Sequence, residues 1–103
     1  MTKIVLVCSG GVSTSMMVVR MKNAAKAHGY DISIMATGAD EFVDDRPEAD
    51  ILLVAPQITY QYQELKDEFS DEIKVIKLID RSDYGAMNGE KVLVDAMTEL
   101  LKG

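Results

Sequence analysis

Four short apolar runs alternate with segments of helical spacing, and this alternation constrains the fold more than any other feature of the chain. The runs are KIVLV at 3–7, DISIMAT at 31–37, DILLVA at 50–55 and KVIKLI at 74–79. Segments 13–28, 58–69 and 89–102 repeat apolar residues at the spacing of one helix face, and 39–45 has room for only one or two turns. Strands that alternate with helices predict βαβ units and a parallel sheet, an α/β fold with helices on both faces.

The composition of each run predicts its place in that sheet. The first and third runs are continuously apolar, as central strands covered on both faces are. The second run alternates, with Ser33 between Ile32 and Ile34, and the fourth carries Lys74 and Lys77, so these two are predicted at the edges. Right-handed crossovers then favour the order 2-1-3-4. In this order the chain reverses direction between strands 1 and 3, where open α/β sheets bind ligands at the carboxyl ends of the strands.

Length and charge exclude several classes of protein. The 103 residues suit one domain, 1–103, with one core. A net charge of −6 disfavours a nucleic-acid partner and anionic lipid surfaces. No apolar run approaches the roughly 20 residues of a spanning helix, and the N-terminus shows no signal-peptide pattern, so we expect a cytoplasmic protein without membrane insertion. A single cysteine and no Cys/His cluster predict no disulfide, and we expect neither a metal nor an organic cofactor.

The only cysteine, Cys8, ends the first predicted strand and precedes the loop SGGVSTS at 9–15, in which six of the seven residues are glycine or carry a hydroxyl. A loop of small residues that enters a helix can turn several backbone N–H groups toward one point and bind a phosphate-like anion. The same positive field favours the thiolate, the nucleophilic form of cysteine. A thiolate surrounded by N–H donors can attack a phosphoryl group, and the donors then hold the resulting dianion.

The pattern therefore predicts a phosphocysteine site with Cys8 as nucleophile. A lone cysteine in an apolar strand is more often a small buried hydrophobe, but strand end, helix start and switch point coincide here and favour the reactive interpretation. The hydroxyls of Ser9, Ser13, Thr14 and Ser15 are candidate additional donors. The predicted phosphate-binding residues are Ser9, Gly10, Gly11, Val12, Ser13, Thr14 and Ser15.

Three segments carry a resemblance to a known family. CSGGVSTSMMVVRM, ADILLVAPQITY and DYGAMNGEKVLVDAM resemble the enzyme IIB component of the bacterial sugar phosphotransferase system, of the lactose/cellobiose (diacetylchitobiose) type. The resemblance covers essentially the whole chain, although the chain reads APQ at 55–57 where many relatives read GPQ.

The resemblance implies a phosphotransferase that relays a phosphoryl group. A phosphohistidine of the IIA partner passes the group to a cysteine, which maps onto Cys8. The cysteine then delivers it to a sugar, such as cellobiose, chitobiose or lactose, held by the membrane IIC component. The family's phosphate loop maps onto residues 9–15, and its fold is similar to that of low-molecular-weight tyrosine phosphatases.

A phosphatase or an arsenate-reductase-like thiol enzyme is the rival enzyme class. Phosphatases of this fold resemble C-x-x-x-x-x-R, whereas Thr14 stands at the arginine position here. They also need a carboxylic acid to protonate the leaving group and activate water, and Asp83 in RSDYG is the only loop candidate. The missing arginine weakens stabilisation of hydrolysis and favours a carrier. A non-catalytic module that binds a small anion in the same pocket is the third alternative.

Two more residues are candidates for a place around the site. Gln57 follows the third run at the carboxyl end of the predicted strand, and topology and the resemblance together suggest that it faces the phosphate. Tyr84 lies near a loop that should flank the site and is a candidate for a partner surface, although half-buried packing is the more usual role of such a tyrosine.

Overall fold

In the computed structural model, which describes residues 1–9 and 12–102 and only the backbone at 12 and 13, four strands form one parallel sheet in the order β2-β1-β3-β4. The strands are β1 (Thr2–Cys8), β2 (Ile32–Gly38), β3 (Ile51–Val54) and β4 (Val75–Leu78). Strand β1 pairs with β2 through Ile4 and Ile34 and with β3 through Ile4 and Ile51. The predicted fold class and strand order are confirmed.

Helices cover both faces of the sheet. They are α1 (Val12–His28), α2 (Ala39–Asp45), a 3₁₀ helix (Pro56–Gln61), α3 (Tyr62–Phe69), α4 (Arg81–Gly85) and α5 (Gly89–Lys102). Helix α1 ends at the predicted stop, since Gly29 has a φ of 74° and the N–H of Tyr30 returns to the Ala25 carbonyl at 2.9 Å. None of the described helices is long and apolar enough to cross a lipid bilayer.

Two local predictions were wrong. The segment 58–69, predicted as one helix, is 3₁₀ up to Gln61, because Ile58 leaves helical geometry at φ −118° and ψ 35°. RSDYG, predicted as a loop, is helix α4, because the Asp80 carboxylate accepts hydrogen bonds from the backbone N–H groups of Ser82 and Asp83. Such capping lets a short segment begin as a helix.

Alternate residues of β1 point into two separate apolar clusters. Ile4, Leu6 and Cys8 face the cluster that contains α1 and α5, whereas Val5 and Val7 face the cluster that contains α2 and α3. Because β1 is buried on both faces, its carboxyl end is fixed by packing from both sides. Cys8 is the last residue of this strand.

The packing of α1 against α5 depends on the absence of a side chain at Gly89. A Cβ there would lie 2.6 Å from the Arg20 Cβ and 2.8 Å from the Met21 backbone nitrogen. We expect Gly89→Ala to lower the free energy of unfolding by about 1–3 kcal/mol, because the two helices must move apart. Urea denaturation monitored by circular dichroism measures this difference.

Gly85→Ala is the matched control, since nothing lies within 4 Å of a Cβ at Gly85. It should leave stability unchanged or raise it by about 0.5 kcal/mol. Equal stability of the Gly89→Ala and Gly85→Ala variants would contradict the close approach of α1 and α5.

Candidate functional site

Cys8 lies at the carboxyl edge of the sheet, between the ends of β2 and β3. Cys8 is only 5% exposed. Its sulfur lies 3.8 Å from the carbonyl oxygen of Thr37, a distance at which the thiol can donate a weak hydrogen bond. In the parallel register Cys8 pairs with Gly38, the last residue of β2. The cysteine therefore stands at the switch point that the strand order predicts.

An open cavity of about 300 Å³ adjoins the thiol. Its lining comes from the end of β1, from the junction of β2 and α2, and from the 3₁₀ helix. The lining residues are Cys8, Ser9, Gly38, Ala39, Asp40, Glu41, Tyr60 and Gln61. The sequence predicted Cys8 and Ser9 as site residues and Tyr60 only as a tyrosine near a loop that flanks the site, and it did not predict the other five.

The charges around this cavity are negative. Asp40 and Glu41 line it, and no lysine or arginine is among its described lining residues. A larger cavity of about 490 Å³ lies next to it and shares Asp40 and Gln61. That neighbour is also acidic, with carboxylates on α2 and α3, so no described lining residue of either space supplies a cation for an anionic group.

The first turn of α1 is the place where the sequence predicts neutral donors for an anion. The helix begins at Val12, so the backbone N–H groups at 12–14 lack partners within the helix and can bind an anion. Gly10 and Gly11 lie outside the described residues, as do the side chains of Val12 and Ser13. Ser15 is exposed on α1, and Ser9 is exposed at the cavity.

Thr14 is turned away from solvent and is only 3% exposed. Its hydroxyl oxygen Oγ1 lies 3.0 Å from the hydroxyl oxygen of Tyr84 on α4. Tyr84 is buried in the apolar cluster that contains α1 and α5. The position that holds arginine in a phosphatase thus holds a neutral hydroxyl in a buried hydrogen bond. This bond joins the first turns of α1 to α4.

Gln57 and Asp83 are both separate from the lining of the Cys8 cavity. Gln57 is exposed at the start of the 3₁₀ helix, while Tyr60 and Gln61 from the same helix line the cavity. The Asp83 carboxylate lies 2.7 Å from Lys91 Nζ and is 15% exposed, in a different cavity on the β4 side of the sheet.

Comparison with known proteins gives one consistent family. The family model for the lactose/cellobiose-specific IIB subunit of the PTS system matches residues 3–95. The oligo-beta-mannoside-specific EIIB component of Bacillus subtilis (strain 168) is 36% identical over 98 residues, which cover 95% of each chain. The galactose-specific EIIB component of Lactococcus lactis subsp. cremoris (strain MG1363) is 33% identical, over 90% of this chain and 91% of that protein.

Solved structures agree. The cellobiose-specific IIB component of Borrelia burgdorferi has a TM-score of 0.78 at 34% identity, covering 98% of this chain and 93% of that one. The lactose-specific IIB domain of Streptococcus pneumoniae has a TM-score of 0.83 at 16% identity, covering 95% and 96%, and shows the fold alone. The resemblance found in the sequence is confirmed.

The buried hydroxyl pair of Thr14 and Tyr84 can be tested by a double-mutant cycle. Tyr84→Phe and Thr14→Val each remove one partner of a buried hydrogen bond, so we expect each to lower the free energy of unfolding by about 1–2 kcal/mol. The double variant should lose less than the sum by roughly 1 kcal/mol, because the two groups share one bond. Tyr60→Phe, at a residue 78% exposed, is the control and should change stability by less than about 0.5 kcal/mol. Strict additivity of the two losses would contradict the pair.

The ion pair between Asp83 and Lys91 should make the stability of the fold depend on pH. The hydrogen bond from Lys91 to Asp83 raises the pKa of Lys91 above its usual 10.5, and the nearby charge of Asp95 adds to this. A raised lysine pKa stabilises the fold below about pH 10.5, and this contribution is lost as the pH rises through the folded-state pKa.

We expect Asp83→Asn to lower the pKa of Lys91 toward 10.5, as followed by NMR titration of the lysine side chain. Asp95→Asn should lower it less, since its carboxylate is 3.5 Å away instead of 2.7 Å. If the pKa of Lys91 were the same in Asp83→Asn as in the wild type, the ion pair between Asp83 and Lys91 would be contradicted.

Proposed function

Because the chain belongs to the lactose/cellobiose-specific IIB family of the sugar phosphotransferase system and is one of its phosphotransferases, we propose that Cys8 is the residue that carries the phosphoryl group. The donor is a phosphohistidine of a IIA partner, and the acceptor is a sugar hydroxyl held by a membrane IIC component. The observation that supports this proposal is the position of Cys8 in the fold. It ends a central strand at the switch point, beside an open cavity and directly before the first turn of α1.

The proposed relay has two displacement steps. The Cys8 thiolate attacks the donor phosphorus, the S–P bond forms, the P–N bond breaks, and the electron pair returns to the imidazole. In the second step the sugar oxygen attacks, the P–S bond breaks, and the thiolate leaves while the hydroxyl proton passes to a base or to water. Backbone N–H groups at 9–15 hold the phosphoryl oxygens between the steps, with the hydroxyls of Ser9, Ser13 and Ser15 as additional donors.

Two features support a carrier over a phosphatase. Thr14 stands in place of the arginine and is bound to Tyr84, so it adds no cation to the transition state of hydrolysis. Asp83 is paired with Lys91 in a different cavity, so it is not placed to protonate a leaving group at Cys8.

The relatives suggest the class of sugar. Their names refer to oligo-beta-mannoside, galactose and cellobiose. We propose a β-linked disaccharide such as cellobiose, chitobiose or lactose as the final acceptor, with its selection made mainly by the membrane component. The proposed relay takes place in the cytoplasm.

Incubation with a phosphohistidine-bearing IIA donor tests this function. Intact-mass spectrometry should show one phosphoryl group on the protein and none on Cys8→Ser, because serine is too weak a nucleophile without a base. Asp83→Asn is the matched control and should form the adduct like the wild type. Rapid release of inorganic phosphate from aryl phosphates, reduced in Asp83→Asn, would instead establish a phosphatase. Absence of any adduct would leave an anion-binding module.

A further inference from the structure

Glu41 occupies a space beside the thiol that a side chain at residue 38 would otherwise fill. Gly38 pairs with Cys8 in the parallel register, so a side chain at either position points to the same face of the sheet. A Cβ on Gly38 would collide with the Glu41 carboxylate. Because paired residues on neighbouring strands are about 5 Å apart, this carboxylate stands roughly one strand spacing from Cys8.

The position of Glu41 follows from the start of α2. Gly38 is the N-cap residue of α2, and Glu41 is its third helical residue. A glutamate at this position reaches back toward the N-cap residue. Since β2 ends directly where α2 begins, the side chain that reaches back arrives at the carboxyl edge of the sheet, in the lining of the Cys8 cavity.

The Glu41 carboxylate also makes no ion pair with any of the described residues. No described lysine or arginine lines the cavity to offset its charge. An anion bound to the thiol therefore meets a negative charge on the β2 side, and no described residue of the cavity lining offsets this charge.

We propose that Glu41 keeps the phosphocysteine transferable, by repelling the phosphoryl dianion on Cys8 and so lowering the stability of the S–P adduct relative to the free site. This inference rests on the proposed function. In this role Glu41 affects how readily the phosphoryl group is transferred to Cys8 and from Cys8 to the sugar. Glu41 itself neither makes nor breaks a bond. The repulsion opposes the first displacement and favours the second by the same factor, because the dianion arrives in one and leaves in the other.

An ordinary structural role for Glu41 would predict something different. A carboxylate in the first turn of a helix stabilises that helix through the helix dipole. Such a role would change the stability of α2 when Glu41 is replaced, but it would not make Cys8 discriminate between reagents by charge. The discriminating measurement is therefore an electrostatic one at the thiol.

The first experiment compares alkylation of Cys8 by the anion iodoacetate with alkylation by neutral iodoacetamide. The ratio of the two rates cancels the amount of thiolate and reports the local charge. Glu41→Gln should raise this ratio about two- to four-fold at low ionic strength, and the difference should shrink in about 1 M salt. Asp44→Asn is the matched control, because Asp44 lies on α2 and lines only the neighbouring acidic cavity. Its ratio should change less than that of Glu41→Gln.

A ratio in Glu41→Gln equal to that of the wild type would overturn the inference. This experiment needs no phosphoryl donor, so its outcome is separate from the test of the proposed function. A raised ratio together with no adduct from the donor would leave the charge effect standing and refute its role in phosphoryl transfer.

The second experiment measures how the phosphoryl group divides between a IIA donor and Cys8 at equilibrium, by intact mass. Glu41→Gln should shift the equilibrium toward phosphocysteine by about three-fold, and Asp44→Asn should not. Adduct formation that is equal in the wild type and Glu41→Gln would overturn the inference while leaving the proposed function intact. A smaller adduct fraction in Glu41→Gln would also overturn it, since the carboxylate would then support the phosphoryl group.

Discussion

Parallel pairing of β1 with a strand on each side determines where the chemistry of this protein can occur. All strands of a parallel sheet end at one edge, so the residues that follow them meet there although they are distant in sequence. Cys8 ends β1, Gly38 ends β2, and Tyr60 and Gln61 follow β3. These residues line one cavity because two crossover connections bring the ends of the three strands together, and no local motif contains them all.

The same pairing explains how a thiol at this edge is held in place. Strand β1 is buried on both faces, and its alternate residues contribute apolar side chains to two clusters. Each Å² of apolar surface removed from water in this way stabilises the fold by about 25 cal/mol. The end of such a strand has little freedom to move. The helix that follows is tied to α4 by the hydroxyl pair of Thr14 and Tyr84. Both Cys8, the proposed nucleophile, and the N–H groups of the helix start are therefore attached to the core.

The strand order could be predicted from the sequence because the burial of a strand determines which residue types the strand contains. Central strands are apolar throughout and edge strands are not, so KIVLV and DILLVA could be told apart from their neighbours. Helix α4 and the split at Ile58 could not be predicted in this way. The first depends on a carboxylate cap at Asp80, and the second depends on the backbone angles of a single residue.

The candidate site shows the same division between local pattern and tertiary contact. Cys8 and the small residues after it form a contiguous motif, so the chemistry they support is visible in the sequence. Glu41 has no motif of its own, and an acidic residue at a helix start is ordinarily a solvated charge. Its relation to Cys8 appears only when the register pairs Gly38 with the cysteine.

The balance of charges around Cys8 separates a carrier from a hydrolase. A buried arginine would stabilise a phosphoryl dianion, but it would stabilise the transition state of attack by water as well. Neutral N–H donors bind the same oxygens more weakly and leave part of the charge for a partner protein to neutralise. A hydroxyl at Thr14 and a carboxylate at Glu41 both move the site in this direction, the first by withholding a cation and the second by adding an anion. These are the properties that the proposed carrier requires, because its phosphoryl group must be held between the two steps and must then be released to the sugar.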